Sequence, residues 1–366
     1  MKKRLGDYIQ EYSVRNKSGE DIPVYSITNS QGFCRDYFSK EVASKDKTTY
    51  KIVPRGCFAY NPSRINVGSV DWQRDEERVI VSPLYNVFSV SPEVDEQNLY
   101  YYLKSSATLY RIKEVATGSV RDNLRLSMLY DFMIELPSLD VQRQIVSNLD
   151  LLASIIRQRN QQLTKLDELI KARFVEMFGD MLLNSLEWPE KPLEGLADIV
   201  SGITKGRKTT ETGLIEVPYM AVSNVKSGYI DWTTIKTILA TKQEIEQYRL
   251  MPDDILMTEG GDPDKVGRGA IIKNPLENSI HQNHIFRVRL DKSELLPAYF
   301  AEYLQHQKAK RYFLGCAKQT TGIASINMRQ LRALPVLIPP LSLQNQFAAF
   351  VAEVDKSKLF VGSAVA

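Results

Sequence analysis

The sequence is poor in cysteine, contains no long apolar run and carries little excess charge. Its cysteines, Cys34, Cys57 and Cys316, are scattered and form no paired motif. This usage disfavours a disulfide framework and indicates a reducing, cytoplasmic setting. No apolar stretch approaches the roughly 18 residues of a membrane-spanning helix, and the basic N-terminus lacks the apolar core of a signal peptide. We therefore expect a cytoplasmic protein with no membrane partner.

The charge balance limits how the chain could bind an anionic partner. Lys and Arg number 47 against 44 Asp and Glu, a net charge of +3. A protein that grips nucleic-acid phosphates alone usually has a larger basic excess. If the chain binds DNA, its basic residues must gather on one face, or other subunits must share the contact. The length of 366 residues predicts two or more domains.

An internal repeat with an offset near 200 residues organises the chain. The matched segments, in chain order, are 5–9 with 193–199, 22–29 with 217–224, 53–56 with 251–254, 82–88 with 280–286, 102–103 with 303–304, and 136–142 with 338–344. Six short matches in the same order indicate duplicated domains rather than a solenoid. Each copy alternates β-branched runs with Gly, Pro and Asn turns and then shows an amphipathic helical pattern, which predicts an α+β domain.

A different pattern follows the first copy. Residues 142–178 contain neither Pro nor Gly, and their apolar side chains keep a heptad spacing, with Gly179 placed to end the helix. This predicts one helix packed lengthwise on another; a single amphipathic helix on a domain surface is the alternative. The predicted contact seam of this helix is apolar except at Arg159 and Arg173. Its other positions are Ile145, Leu149, Leu152, Ile156, Leu163, Leu166, Ile170 and Met177.

These features give the predicted domain organisation and a family resemblance. The predicted segments are a first domain at 1–138, a long central helix at 139–180, a second domain at 181–339 and a shorter distal helix at 340–366. The segments 136–146, 162–171 and 174–180 resemble the central helical region of Type I restriction-modification specificity subunits, and the resemblance covers almost the whole chain. It implies an α+β fold of two tandem target recognition domains joined by a long coiled-coil-type helix.

The resemblance also implies a function and partners. Each domain would read one half of a split double-stranded DNA target, and the helices would dock two methyltransferase subunits. This chain would be non-catalytic: S-adenosylmethionine would bind those subunits, and ATP and Mg would bind motor-nuclease subunits. The specificity part of another methyltransferase-type defence enzyme, or a structural interaction protein that binds no DNA, is the alternative.

The distal helix departs from the family pattern. Its sequence predicts a helix over 344–358 that stops at Leu359, whereas the family pattern continues for a helix about as long as the central one. Much of the central helix would then lack an intramolecular partner. Self-association through that exposed helix is a further expectation.

Candidate DNA contacts are planar or forked side chains on loops, with basic neighbours for phosphates. Ordinary solvated loops are the alternative at each place. In the first domain the candidates are Arg55, Tyr60, Asn61, Ser63, Arg64, Asn66 and Arg121. In the second they are Thr204, Lys205, Arg207, Lys208, Asp262, Lys265, Arg268, His281, Gln282 and Asn283.

Fragments that suggest catalysis are incomplete. The run from Asn61 to Arg64 resembles an amino-methyltransferase motif but lacks the aromatic residue that would stack on a flipped base. Residues 202–209 do not have the spacing of a phosphate-binding loop. His281 and His284 have no third ligand at a convincing spacing for zinc. We therefore expect neither catalytic residues nor a metal site in this chain.

Overall fold

The computed structural model describes residues 2–35, 46–116, 123–206, 213–262, 265–320 and 323–363. The chain divides into two compact units, Met1–Ile156 (unit 1) and Arg157–Ala366 (unit 2). The boundary falls inside the long helix, so that one helix contributes residues to both units.

Unit 1 begins with short strands and ends with helices. In chain order its elements are β1 (Lys2–Arg4), β2 (Ile9–Glu11), β3 (Ser26–Thr28), β4 (Gly32–Cys34), β5 (Lys51–Pro54), β6 (Phe58–Tyr60), β7 (Val70–Trp72), β8 (Arg78–Val81), β9 (Asn86–Val90), α1 (Glu96–Lys104), α2 (Ser106–Val115), α3 (Leu126–Tyr130), β10 (Met133–Glu135) and the start of α4 (Leu139–Phe178). Side chains cap the helix pair: Asp95 accepts a hydrogen bond from the Asn98 amide and Ser105 accepts one from Thr108.

Unit 2 begins with the rest of α4 and shares part of this order. Its elements are β11 (Glu190–Pro192), β12 (Ala197–Ser201), β13 (Ile215–Met220), β14 (Lys236–Ala240), α5 (Lys242–Tyr248), β15 (Asp254–Thr258), β16 (Gly260–Gly261), β17 (Gly269–Ile272), β18 (Ile280–His281), β19 (Ile285–Leu290), α6 (Pro297–Gln305), α7 (Gln307–Cys316), β20 (Lys318–Thr320), β21 (Ile323–Ser325), α8 (Met328–Arg332), β22 (Pro335–Leu337) and α9 (Leu341–Ser363).

The sheets show which parts of the repeat are shared. In each unit a terminal pair joins the first strand to the last, β1 with β10 and β11 with β22. The four-stranded sheets have equivalent orders, β2-β9-β6-β7 and β12-β19-β15-β17, with antiparallel neighbours throughout. The remaining sheets differ: unit 1 has the pairs β3-β4 and β5-β8, and unit 2 has β14-β13-β18 and β16-β21-β20. The prediction of tandem α+β repeats with a long central helix is confirmed.

A buried glutamine explains the match between segments 136–142 and 338–344. The amide group of Gln142 donates to the Glu93 and Pro137 carbonyl oxygens and accepts from the Asp95 N–H, at 2.9 Å in each case. Gln344 makes the same three bonds in unit 2, to Glu294, Pro339 and Leu296. Both side chains are fully buried. Each glutamine thus ties the start of α4 or α9 to the segment before α1 or α6.

The long helix is covered unevenly. Its second half packs on α9, where Phe347 lies 5.4 Å from Phe174 and 5.5 Å from Phe178 between ring centroids. Further along α9, Lys358 pairs at 2.6 Å with Asp167, which precedes Phe174 on α4, so the two helices run antiparallel.

The seam positions follow this coverage. Ile170 is buried, and Leu166 and Met177 pack against the same core. Leu149, Arg159 and Leu163 are half-buried. Towards the start of the helix Ile145, Leu152 and Ile156 are 39%, 54% and 46% exposed.

Both ends of the helical segments can be compared with the sequence predictions. The glycine after α4, Gly179, has φ +75° and so ends the helix in the left-handed conformation. The predicted end of the distal helix at Lys358 is wrong, because α9 continues through Leu359 and Phe360 to Ser363. Residues 359–363 contain no proline, so nothing interrupts the backbone hydrogen bonding there.

Candidate nucleic-acid interface

The predicted DNA loops leave one end of the equivalent four-stranded sheets. In unit 1 the last residue of β6, Tyr60, pairs with the first residue of β9, Asn86. In unit 2 the last residue of β15, Thr258, pairs with the first residue of β19, Ile285. The end of β12 also lies beside the start of β19. Antiparallel pairing therefore brings residues 61–69 to this end in unit 1, and 202–206, 259–262, 265–268 and 281–284 to the same end in unit 2.

The unit 1 loop is held in shape from within. The Asn61 Oδ1 accepts from the Ser63 amide at 3.1 Å and from its hydroxyl at 2.9 Å, a turn that fixes the start of the loop. Ile65 is fully buried and anchors the middle, and Gly68 adopts φ +89° at the end. Between these anchors Arg64 is exposed and Asn66 is half-buried. The loop can therefore present Arg64, Asn66 and the Asn61 amide nitrogen to a partner.

Arg55 lies apart from this loop tip. Its guanidinium donates to the carbonyl oxygens of Asp75, at 2.9 Å, and Glu76, at 3.4 Å. These bonds hold the acidic turn at residues 75–77, so Arg55 supports that turn.

Two predicted DNA contacts need correction because their side chains are in the core. Tyr60 is fully buried and its hydroxyl donates to the Leu124 carbonyl at 3.1 Å. His281 is also fully buried, with its ring nitrogens 3.2 Å from the Tyr248 carbonyl oxygen and 3.3 Å from that of Val200. Burial lowers the pKa of His281 to about 4. Arg121, Arg207 and Lys208 lie outside the described residues, and their proposed roles stay predictions.

The backbone joins two of the predicted segments in unit 2. The Ile203 amide donates to the His281 carbonyl at 2.9 Å, and the Asn283 amide donates to the Ile203 carbonyl at 3.0 Å. Gly202 permits this approach, since a Cβ there would lie 2.0 Å from the His281 oxygen. The exposed Thr204 and Lys205 therefore lie close along the chain to the half-buried Gln282 and Asn283.

The segment that begins at Glu259 meets the segment 281–284 through a side-chain hydrogen bond. The Glu259 carboxylate lies beside Nδ1 of His284. Beyond it, Asp262 pairs with Lys265, whose hydrogen bond and charge lower the pKa of the Asp262 carboxyl. Arg268 is half-buried at the end of the segment, where its carbonyl accepts from the Thr258 amide. The exposed and half-buried unit 2 candidates in the described residues thus lie at one end of the sheet and carry charges of both signs.

Sequence reasoning missed a cation–aromatic cluster beside the unit 1 loop. The Arg74 guanidinium carbon lies 4.8 Å from the Trp72 ring centroid and 5.7 Å from that of Tyr100. The Lys104 amine lies 5.2 Å from the Tyr100 ring. The signal was present: residues 72 and 74 are two apart, as on one face of an extended segment, and residues 100 and 104 are four apart on a helix. Arg74 also pairs with Asp71, and Lys104 donates to the Asn29 carbonyl, so the cluster joins several segments of unit 1.

The described residues offer no sign of a different kind of site. None of the helices in these ranges is both long and apolar enough to cross a membrane. Within the same ranges, no three His, Cys, Asp or Glu side chains are grouped as a metal site would require.

Comparison with known proteins gives a consistent result. Residues 6–165 and 185–359 match the model of the type I restriction modification DNA specificity domain. The chain is 22% identical over 267 residues to the EcoKI specificity subunit of Escherichia coli K12, a match that covers 69% of this chain and 57% of that protein. Across the first curated relatives the match spans only 40–57% of the relative's own length.

Solved structures extend the likeness to the fold. The type I restriction-modification S subunit from M. genitalium has a TM-score of 0.52 at 16% identity, over 100% of this chain and 91% of that one. A chain from work on complex assembly and conformational transition of the type I restriction-modification system has a TM-score of 0.54, with the same identity and coverage.

Proposed function

Because the chain belongs to the type I restriction-modification DNA specificity family, in which DNA recognition is the general role, we propose that it reads a bipartite DNA target. Unit 1 reads one half and unit 2 reads the other. The observation that supports this most is the pairing of a shared scaffold with unlike loops. The equivalent sheets carry an Asn-Pro-Ser-Arg loop in unit 1. In unit 2 they carry three segments that hydrogen bonds connect, beginning at residues 202, 259 and 281.

The chemistry of the loops suits base recognition. Arg64 can donate two parallel bonds to guanine, and the Asn66, Gln282 and Asn283 amides can pair with adenine in the major groove. We propose that the exposed Thr204 and Lys205 contact the phosphate backbone. We propose that Arg207 and Lys208 extend that basic segment and that Arg121 adds a phosphate contact in unit 1.

The start of α4 is proposed to dock methyltransferase subunits. Apolar side chains are exposed along it: Ile145, Leu151, Leu152, Ile155 and Ile156. A contiguous exposed apolar surface of this kind marks a site of protein association. Two methyltransferase subunits would bring S-adenosylmethionine and the catalytic groups, motor-nuclease subunits would bring ATP and Mg, and this chain would contribute none. Acting on DNA with these subunits, it would work in the cytoplasm.

The test is to purify the full chain with its cognate methyltransferase and map the adenines that the complex methylates. We expect one split sequence with a fixed gap, and a complex mass corresponding to two methyltransferases. Leu152→Glu should abolish the complex, whereas Arg157→Glu, at an exposed polar position of the same helix, should retain it. Methylation without sequence preference would contradict the proposal, and so would a chain that dimerises through α4 and excludes methyltransferase.

A further inference from the structure

A basic pocket in unit 2 joins two of the predicted contacts, Lys265 and Arg268, to residues that the sequence analysis did not single out. Its volume is about 420 Å³, and it opens between the turn at 226–229, the turn at 265–268 and the junction of α6 with α7. Val266 and Leu304 contribute apolar lining, and the basic side chains are Lys226, Lys265, Arg268 and Lys310. Because the Arg268 carbonyl accepts from the amide of Thr258, the last residue of β15, the pocket adjoins the loop end of the sheet.

The charge of the pocket is only partly balanced. Lys226 lies 3.7 Å from Asp231, and Lys265 pairs with Asp262. Within the described ranges no carboxylate oxygen comes within 4.0 Å of Arg268 or Lys310 to form an ion pair. The Arg268 Nε–H is buried and has no hydrogen-bond partner there. A pocket that is lined by cations and adjoins a buried donor without a hydrogen-bond partner is suited to binding an anion.

The walls of the pocket are fixed by contacts that do not depend on a ligand. Gly267 has φ +70° and packs so tightly on α7 that a Cβ there would lie 2.1 Å from the Phe313 ring. The Ser227 hydroxyl donates to the Gln305 Oε1, and the Gly228 amide donates to the Gly269 carbonyl at 3.0 Å. The two turns are therefore held against the helix pair with their cations in place.

The equivalent position in unit 1 is filled by the protein itself. With an offset of 201 residues, Lys104 stands where unit 2 has Gln305. Its amine donates to the Asn29 carbonyl at 2.7 Å, and its Cε would lie 3.4 Å from a Cβ on Gly68. Unit 2 has an uncharged side chain at this place and cations on the rim. At this position the two units therefore differ in side-chain charge and in hydrogen bonding.

We propose that this pocket holds a backbone phosphodiester group of DNA beside the half-site that unit 2 reads, with Arg268 and Lys310 as its principal contacts. This deepens the proposed DNA recognition and rests on it. A phosphodiester oxygen can accept from the half-buried Arg268 guanidinium group and from the Lys310 ammonium group. Contacts of this kind set the position of the reading segments and carry no base preference.

The test is duplex binding by the full chain across a range of salt concentrations. The variants are Arg268→Gln and Lys310→Gln, with Lys310→Arg as the conservative rescue. Lys356→Gln is the matched control, because that lysine is exposed on α9 and paired only to its neighbour Glu353. The probe is a random-sequence 30-base-pair duplex, and inorganic phosphate and a free nucleotide are titrated separately. Thermal unfolding of each variant checks that it is folded.

We expect each glutamine variant to weaken duplex binding several-fold and to lower the slope of log affinity against log salt by about 0.9, the value for one phosphate contact. Lys310→Arg should restore both, and the control should match wild type. Unchanged slopes in folded variants would overturn the inference while leaving the proposed function intact. Tight binding of free phosphate or nucleotide with unchanged duplex binding would also overturn it, as a small-anion site. Failure of wild type to bind duplex, both alone and in complex with its cognate methyltransferase, would overturn both.

Discussion

The first part of α4 and the whole of α9 are equivalent segments with opposite environments. At an offset of 202 residues, Ile145 corresponds to Phe347 and Leu152 to Val354. Ile145 and Leu152 are 39% and 54% exposed, whereas Phe347 and Val354 are 0% and 5% exposed. Both segments begin with the same buried glutamine, so their start is fixed alike. Because the second half of α4 covers α9 and no described segment covers the first half to the same extent, the same heptad pattern is a core in one place and a surface in the other.

Truncation of the equivalent residues Phe347 and Ile145 should give the largest difference in stability between the two segments. Phe347→Ala should destabilise unit 2 by about 3–5 kcal/mol, because it leaves a cavity beside Phe174 and Phe178, which pack with Tyr299. Ile145→Ala should cost less than about 1 kcal/mol, since that side chain is already exposed. Hydrogen exchange resolved by peptide measures each unit separately. Equal losses for the two variants would mean that the first part of α4 is covered after all.

Substitution of the buried glutamines Gln142 and Gln344 should cost similar stability, although the helices that they begin differ in exposure. Gln142→Ala and Gln344→Ala each leave one N–H and two carbonyl groups without their partner, and we expect a loss of about 2–3 kcal/mol in each. The neighbouring Gln144 and Gln346 are exposed, so Gln144→Ala and Gln346→Ala are matched controls with changes near zero. Chemical denaturation gives the values. A loss in one unit only would show that the repeated motif has different roles.

Lowering the pH should destabilise unit 2 more than unit 1, by less than the truncation of Phe347. All of the histidines, His281, His284 and His306, are in unit 2. Burial holds the pKa of His281 at about 4, below its value of 6.5 when unfolded. The unfolded chain therefore binds a proton first as the pH falls, and stability is lost between about pH 6.5 and 4. From pH 7 to 5 the loss should be about 2 kcal/mol in unit 2.

Histidine substitutions assign this acid sensitivity to a residue. His281→Gln should reduce the loss between pH 7 and 5, and His306→Gln should reduce it by less, because burial also lowers the pKa of that half-buried ring. Denaturation of the three proteins at both pH values is sufficient. An acid response that is unchanged in His281→Gln would place the titrating group elsewhere.

The smallest change in stability should accompany the proposed docking surface. Ile156→Glu should change the free energy of unfolding by within about 0.5 kcal/mol, because Ile156 is 46% exposed and its helix is intact without it. Its expected effect is on methyltransferase association, which gel filtration detects. A destabilised chain would instead indicate that this face packs within the protein.

The sequence predicted the repeat, the long helix and its glycine end, because these depend on periodicity and on motifs that recur in order. It could not predict the environment of single side chains that distant segments bury. The sequence predicts Tyr60 in a loop, but β6 extends to it and its hydroxyl donates to the Leu124 carbonyl. His281 is enclosed by carbonyls 33 and 81 residues away in the chain. The pocket at Arg268 and Lys310 likewise joins turns and helices that no local pattern connects.

Selection of bound duplexes from a random library tests the central claim most directly. With the full chain and its cognate methyltransferase, wild type should enrich two half-sites separated by a fixed gap. Arg64→Ala should relax the preference within one half alone, and Gln282→Ala should relax it within the other half alone. If both substitutions altered the same half, or if neither changed the enriched sequence, the account of one unit reading each half would be contradicted.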